Sequence, residues 1–192
     1  MKQTIIYDLL IFILVLILLI FLKPSFLSIF LTFFLVLIYC HKKKGINTEL
    51  GFSKPKNLIR TITYSFLLAI GIVLLSYFIL LPQIQTITGY QLDLGMFKQL
   101  KGNTNLLILS IVLGWVVGGL IEETIFRGFI VSTFISHLPA RIGAIIGVVI
   151  SSIIFGYLHN YQGVTGQILT GLIGLMLAVI FIINKICYEN KN

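Results

Sequence analysis

The stretch "GGLIEETIFRGFIVSTFISHLPARIGAIIGVVISSIIFGYLH", residues 118–159, decides the fold. It contains two strongly apolar runs separated by the short turn "SHLPAR" at 136–141. So short a turn makes the runs an antiparallel hairpin, and lipid, which offers a backbone no outside partner, requires both arms to be helical. Glu122, Glu123 and Arg127 sit in the first arm and His159 ends the second. A carboxylate at helix depth costs about 2.5 kcal/mol or more, so such groups face a bundle interior, paired or lining water.

The composition fits this solvent. The 192 residues are 58% hydrophobic and 10% charged, with mean hydropathy +1.06, too few polar residues to cover a water-soluble globule. Apolar runs at 4–22, 26–40, 58–81, 106–135, 142–159 and 164–184 suit a hydrocarbon layer of about 30 Å. They predict an all-α fold, a polytopic membrane bundle of about six transmembrane helices, as one domain over 1–192. Polar connections are expected at 41–57 and 82–105. The first run is read as a membrane helix and not a cleaved signal, because Asp8 flanks it and a second run follows Lys23-Pro24 directly.

Charge sets the expected orientation. Putting the "HKKKG" loop in the cytoplasm places Lys2, Lys42, Lys43, Lys44, Lys54, Lys56, Arg60, Arg141, Lys185 and Lys191 inside, against Lys23, Lys98 and Lys101 outside. Both termini are then cytoplasmic, in a multi-pass protein of the cell membrane. The net charge of +8 is accounted for by basic loops on an anionic leaflet, with membrane lipid and not nucleic acid as the partner. Cys40 and Cys187 lack metal-ligand spacing, and the ending "CYENKN" does not fit a prenylation site.

Within the hairpin, Gly114, Gly118, Glu122 and Phe126 recur every four residues, and the next helix repeats the device with Gly143, Gly147, Ser151, Phe155 and His159. Small residues at that spacing let helices approach closely, which predicts packing through Gly114, Gly118, Gly143 and Gly147. Glu123 and Arg127, one turn apart, form a pair that is equally at home in a purely structural role. Glu122 is left without a local partner. Counted from a midpoint near residue 138, Phe155 falls opposite Glu122 and His159 lies one turn beyond, an axial offset of roughly 6 Å. That gap suits a water or a scissile peptide between a general base and a second polar group. His137, in the turn, reads as solvated.

"EETIFRG", with "FGYLH" 29 residues after its Phe126, resembles the CAAX-protease and bacteriocin-processing family of intramembrane proteases, whose signatures are E-E-x-x-x-R and F-x-x-x-H on successive helices. "ELGFSKPK" at 49–56 is similar to a juxtamembrane stretch of that family. The resemblance covers roughly 106–184, a protease-like core. It implies peptide hydrolysis within the membrane: Glu122 as the base that activates water, Glu123 its partner, Arg127 the counter-charge, and His159 the catalytic group of the second helix. Phe126 and Phe155 are the aromatic members of the two motifs. The implied partner is a peptide or membrane-anchored protein, such as a bacteriocin, a leader peptide or a prenylated C-terminus. A divalent metal such as zinc is left open, with Glu122, Glu123 and His159 as candidate ligands and no H-E-x-x-H.

The family's later H-x-x-x-N or H-x-x-x-D has no counterpart after His159, which leaves Asn160, Gln162 and His137 as alternatives for the oxyanion donor. Two other classes stay beside the peptidase: a weakly catalytic or non-catalytic bacteriocin self-immunity protein, and a transporter or proton-relay component. The absence of inverted repeats and of broken helix pairs speaks against the last.

Overall fold

The structure is a computed structural model that describes residues 2–22, 26–43 and 55–189. Among these, every regular element is helical. Helices α1 (Lys2–Phe21) and α2 (Phe26–Lys42) make a first hairpin. Then come α3 (Leu58–Thr88) and α4 (Thr104–His137), followed by α5 (Ala140–Leu158) and α6 (Gly163–Glu189). Four of these, α3 to α6, are long and apolar enough to cross a membrane, and α1 and α2 are shorter apolar helices. The protein is a multi-pass membrane bundle, and the large apolar side chains left exposed along its helices are the surface lipid covers.

Local chemistry sets the helix ends. The side chains of Asn57 and Asn103 accept the N–H groups of Arg60 and Leu106, both at 3.0 Å, capping α3 and α4. Gly89, with φ +72°, closes α3 in the left-handed conformation that glycine adopts without strain. Leu138 is extended because Pro139 follows it, which stops α4 at His137 and lets α5 begin at Ala140. The expected break near residue 81 is absent, since α3 runs on to Thr88. Its turn at Ser76–Leu80 widens to a π-helix just before Pro82, which has no N–H to give.

The α4–α5 hairpin is closest near its turn. A Cβ at Gly143 would meet the backbone of Phe134, and one at Gly147 would lie 3.1 Å from the carbonyl oxygen of Val131. Those two glycines pack as the stripe predicts. Gly114 does not, having no atom within 4 Å of its Cβ position, and Gly118 has only the Glu122 carboxylate, at 3.8 Å. Counted from the Gly143–Phe134 and Gly147–Val131 contacts, Gly118 and Gly114 stand opposite positions beyond Leu158, where α5 has ended. The close contacts of α5 with α6 use other small residues, Gly156 against Gln167 and Gly171, and Gly174 against Phe155.

The largest apolar cluster joins Val15 and Leu19 of α1, Val36 and Tyr39 of α2, Ile125, Phe126 and Phe129 of α4, and Phe155 and Leu158 of α5. The lower half of α4 is therefore walled by α1 and α2 on one side and by α5 and α6 on the other. Its eight residues Thr124–Val131 are all buried, which carries Arg127 into the interior.

Candidate active site

Arg127 is 1% exposed, an extreme burial for a permanent cation. Three neighbours hold it. Glu123 Oε1 lies 3.0 Å from Nη1, the carbonyl of Gly174 on α6 accepts from Nη2 at 3.3 Å, and the guanidinium stands 4.7 Å from the ring centre of Phe155. The contact to Glu123 is close in distance without being aligned as a hydrogen bond, so Nη1 and Nε have no hydrogen-bond partner among the described residues. A charge buried this deeply needs its counter-charge, and the i, i+4 spacing supplies it.

The aromatic members brace the arrangement. Phe126 and Phe155 meet edge to face with centroids 5.0 Å apart, and Phe155 continues to the His159 ring at 4.7 Å. Ser151 donates to the carbonyl of Phe126 at 3.2 Å and pins α5 to α4 here. The neighbour across from Phe155 is thus Phe126, one turn nearer the hairpin than Glu122.

Glu122 and His159 share this neighbourhood through Arg127, whose charge acts on Glu122, Glu123 and His159 alike. The two motif ends differ in what binds them. Glu123 is turned to the arginine, whereas Glu122 stands in the field of Arg127 and Glu123, with no hydrogen bond to its carboxylate among the described residues. His159 caps α5, and its Nδ1 lies 2.7 Å from the carbonyl oxygen of Phe155. A carbonyl only accepts, so Nδ1 bears the proton, and in the neutral ring Nε2 is the unprotonated nitrogen.

Around His159 the chain is fixed by a short 3-10 turn, Asn160–Gln162. Tyr161 stacks on the imidazole at 5.6 Å, its hydroxyl accepts from Gln162 Nε2 at 3.1 Å, and it lies within electrostatic reach of Glu122. Sequence reading passed over this tyrosine, whose only signal is its position two residues beyond the histidine. The segment after α3 is tied down beside it: Asp93 N–H donates to the Gln162 carbonyl at 3.1 Å, and Thr165 donates to the Tyr90 carbonyl at 2.8 Å. Of the alternative oxyanion donors, Asn160 is exposed and Gln162 spends its amide on Tyr161. His137 is excluded by position, since it lies at the other end of α5, about 28 Å away along a helix of 19 residues. It is exposed, as expected near the turn, and its Nε2 also lies 3.1 Å from Asp8 Oδ2.

The donors do not suit a three-ligand metal. Among the described residues no three His, Cys, Asp or Glu side chains converge to hold an ion, and Glu123, the would-be third ligand, is turned to Arg127. Lys23, Lys44, Lys54, most of "ELGFSKPK" and Lys191 lie outside the described residues, as do the side chains of Lys2 and Cys187.

Comparison with known proteins gives one finding that bears on this geometry. Residues 104–187 match a family model described as type II CAAX prenyl endopeptidase Rce1-like. No curated protein and no solved structure matches the chain. The matched segment runs from the start of α4 through nearly all of α6 and holds every residue of the site.

Proposed function

From the match of residues 104–187 to the Rce1-like model of CAAX prenyl endopeptidases, we propose that the chain is an intramembrane endopeptidase that hydrolyses a peptide bond in or near the membrane. Glu122 is the general base and His159 acts with it from the next helix. The observation that carries this reading is that the Glu122 carboxylate has no hydrogen bond among the described residues, while His159 commits Nδ1 to the Phe155 carbonyl and so keeps Nε2 for chemistry. A water that donates one proton to each has its lone pair left to attack a scissile carbonyl, and the carboxylate takes up the proton released. Arg127 holds Glu123 turned aside at 3.0 Å, while the edge-to-face pair of Phe126 and Phe155 fixes the gap.

The substrate in this reading is a peptide or membrane-anchored protein, of which a prenylated C-terminus, a bacteriocin and a leader peptide are the classes the sequence motifs suggest. The excess of basic residues at the hairpin-turn end supports a cytoplasmic position for that end and for both termini, in a cell-membrane protein.

The test is cleavage of a panel of membrane-spanning and prenylated peptides by the reconstituted chain, with and without chelator. Wild type should cleave at least one member equally in both, and Glu122→Gln should cleave none while it still binds peptide. If no peptide is cleaved by wild type and Glu122→Gln still protects cells from a bacteriocin, the peptidase reading fails and an immunity function replaces it.

A further inference from the structure

At the other end of the hairpin, well away from Glu122, the helix ends of α2, α4 and α6 enclose a cavity of about 120 Å³. That is several times the roughly 10–15 Å³ one water needs, and is room for a phosphate group. Its walls include Lys43, Lys185, Ser132, Thr133 and Ser136, and no carboxylate among the described residues lines it.

The donors can be counted. The Lys43 ammonium gives one proton to Asp8 at 2.8 Å and one to Tyr39 at 3.0 Å. Lys185 gives one to the Ser132 hydroxyl at 3.4 Å. Each ammonium has three protons, so three of the six have no acceptor among the described residues. The charges count likewise: Asp8 cancels one lysine and leaves one positive charge over, which is the charge a phosphodiester would neutralise. The partial negative charge of the helix C-termini nearby opposes an anion, but it fades within a turn, whereas the ammonium groups touch the cavity directly.

We propose that this cavity binds a phosphate anion, presented by a phospholipid headgroup or as free phosphate, with Lys185 and Lys43 as its ligands. Basic pockets between transmembrane helices at the headgroup level take lipid phosphates by the same chemistry. The site is separate from the peptidase chemistry and stands whether or not that holds.

The experiment uses the full chain in detergent, titrated in parallel with short-chain phosphatidylglycerol, phosphatidylcholine of the same chain length, and inorganic phosphate, while Tm is followed. Phosphatidylglycerol should raise Tm saturably and phosphatidylcholine should not. Lys185→Gln should weaken the apparent Kd roughly five-fold, the effect of one lysine at such a surface, and Lys185→Arg should restore it. A matching Lys185-dependent rise with inorganic phosphate assigns the site to free phosphate, and its absence assigns the site to lipid. Equal responses to the two lipids, or an unchanged Kd in Lys185→Gln, overturn the proposal. Should Lys185→Gln fail to fold, Lys185→Arg and the wild-type lipid comparison still decide.

Discussion

Asp8 and Glu122 are both carboxylates in apolar helices, and the chain treats them in opposite ways. Asp8, 6% exposed, is surrounded: Tyr39 donates to Oδ1 at 2.7 Å, Lys43 to Oδ2 at 2.8 Å, and His137 stands 3.1 Å from the same oxygen. Those partners come from α2 and from the turn end of α4, so the carboxylate knots three helices together. Glu122 has two charges in reach and no hydrogen bond among the described residues. A buried polar group with its partners satisfied is structure, and one left open beside a cation is available for chemistry. The difference lies in surroundings, since both helices are apolar.

The most direct way to break this contrast is to neutralise each carboxylate in turn. Glu122→Gln should lower peptide cleavage by about 10²–10⁴-fold, the usual worth of a general base, with little change in Tm. Cleavage retained in Glu122→Gln, at a rate near wild type, would remove the chemical half of the contrast.

Arg127 sharpens it from the other side. Removing one partner of a buried ion pair strands the other, so Arg127→Ala should cost about 3–5 kcal/mol of stability, read as a fall in Tm or in resistance to denaturing detergent. The double variant with Glu123→Ala should recover part of that loss. Losses that simply add would mean that the 3.0 Å contact contributes nothing.

How far the sequence could reach follows the same line. The helices, the short turn at 136–141 and the burial of Arg127 were legible because they depend on residues near one another in the chain. The pairing of Glu123 with Arg127 and the approach at Gly143 and Gly147 were legible for the same reason. Illegible were the contacts that depend on register between distant segments. Asp8 meets His137 across 129 residues, and Arg127 reaches the Gly174 carbonyl across 47. The π-winding of α4 also leaves no mark in an apolar sequence.

A smaller effect is expected at Asp8. Asp8→Asn keeps the shape but weakens three interactions, which should cost about 1–3 kcal/mol in stability. Cleavage per folded molecule should stay at the wild-type level, because the knot is at the far end of the hairpin from His159. A variant that folds as well as wild type yet cleaves poorly would reverse the roles assigned to the two carboxylates.

The smallest effect concerns the cation of the knot. Burial works against the Lys43 charge, but the hydrogen bonds to Asp8 and Tyr39 outweigh it and hold the ammonium above its ordinary value of about 10.4. A folded value above the unfolded one means that the stabilisation is complete below about pH 10 and is lost as pH rises through the folded value. Lys43 is 33% exposed, so solvent screens the pair and its contribution should stay below about 1 kcal/mol. The Tm of wild type minus that of Lys43→Gln should therefore be small, positive and flat from about pH 7 to 10, and shrink beyond. A gap that instead widens with alkali would mean that Lys43 is bound more tightly as the neutral amine, and that Asp8 is neutralised by some other group.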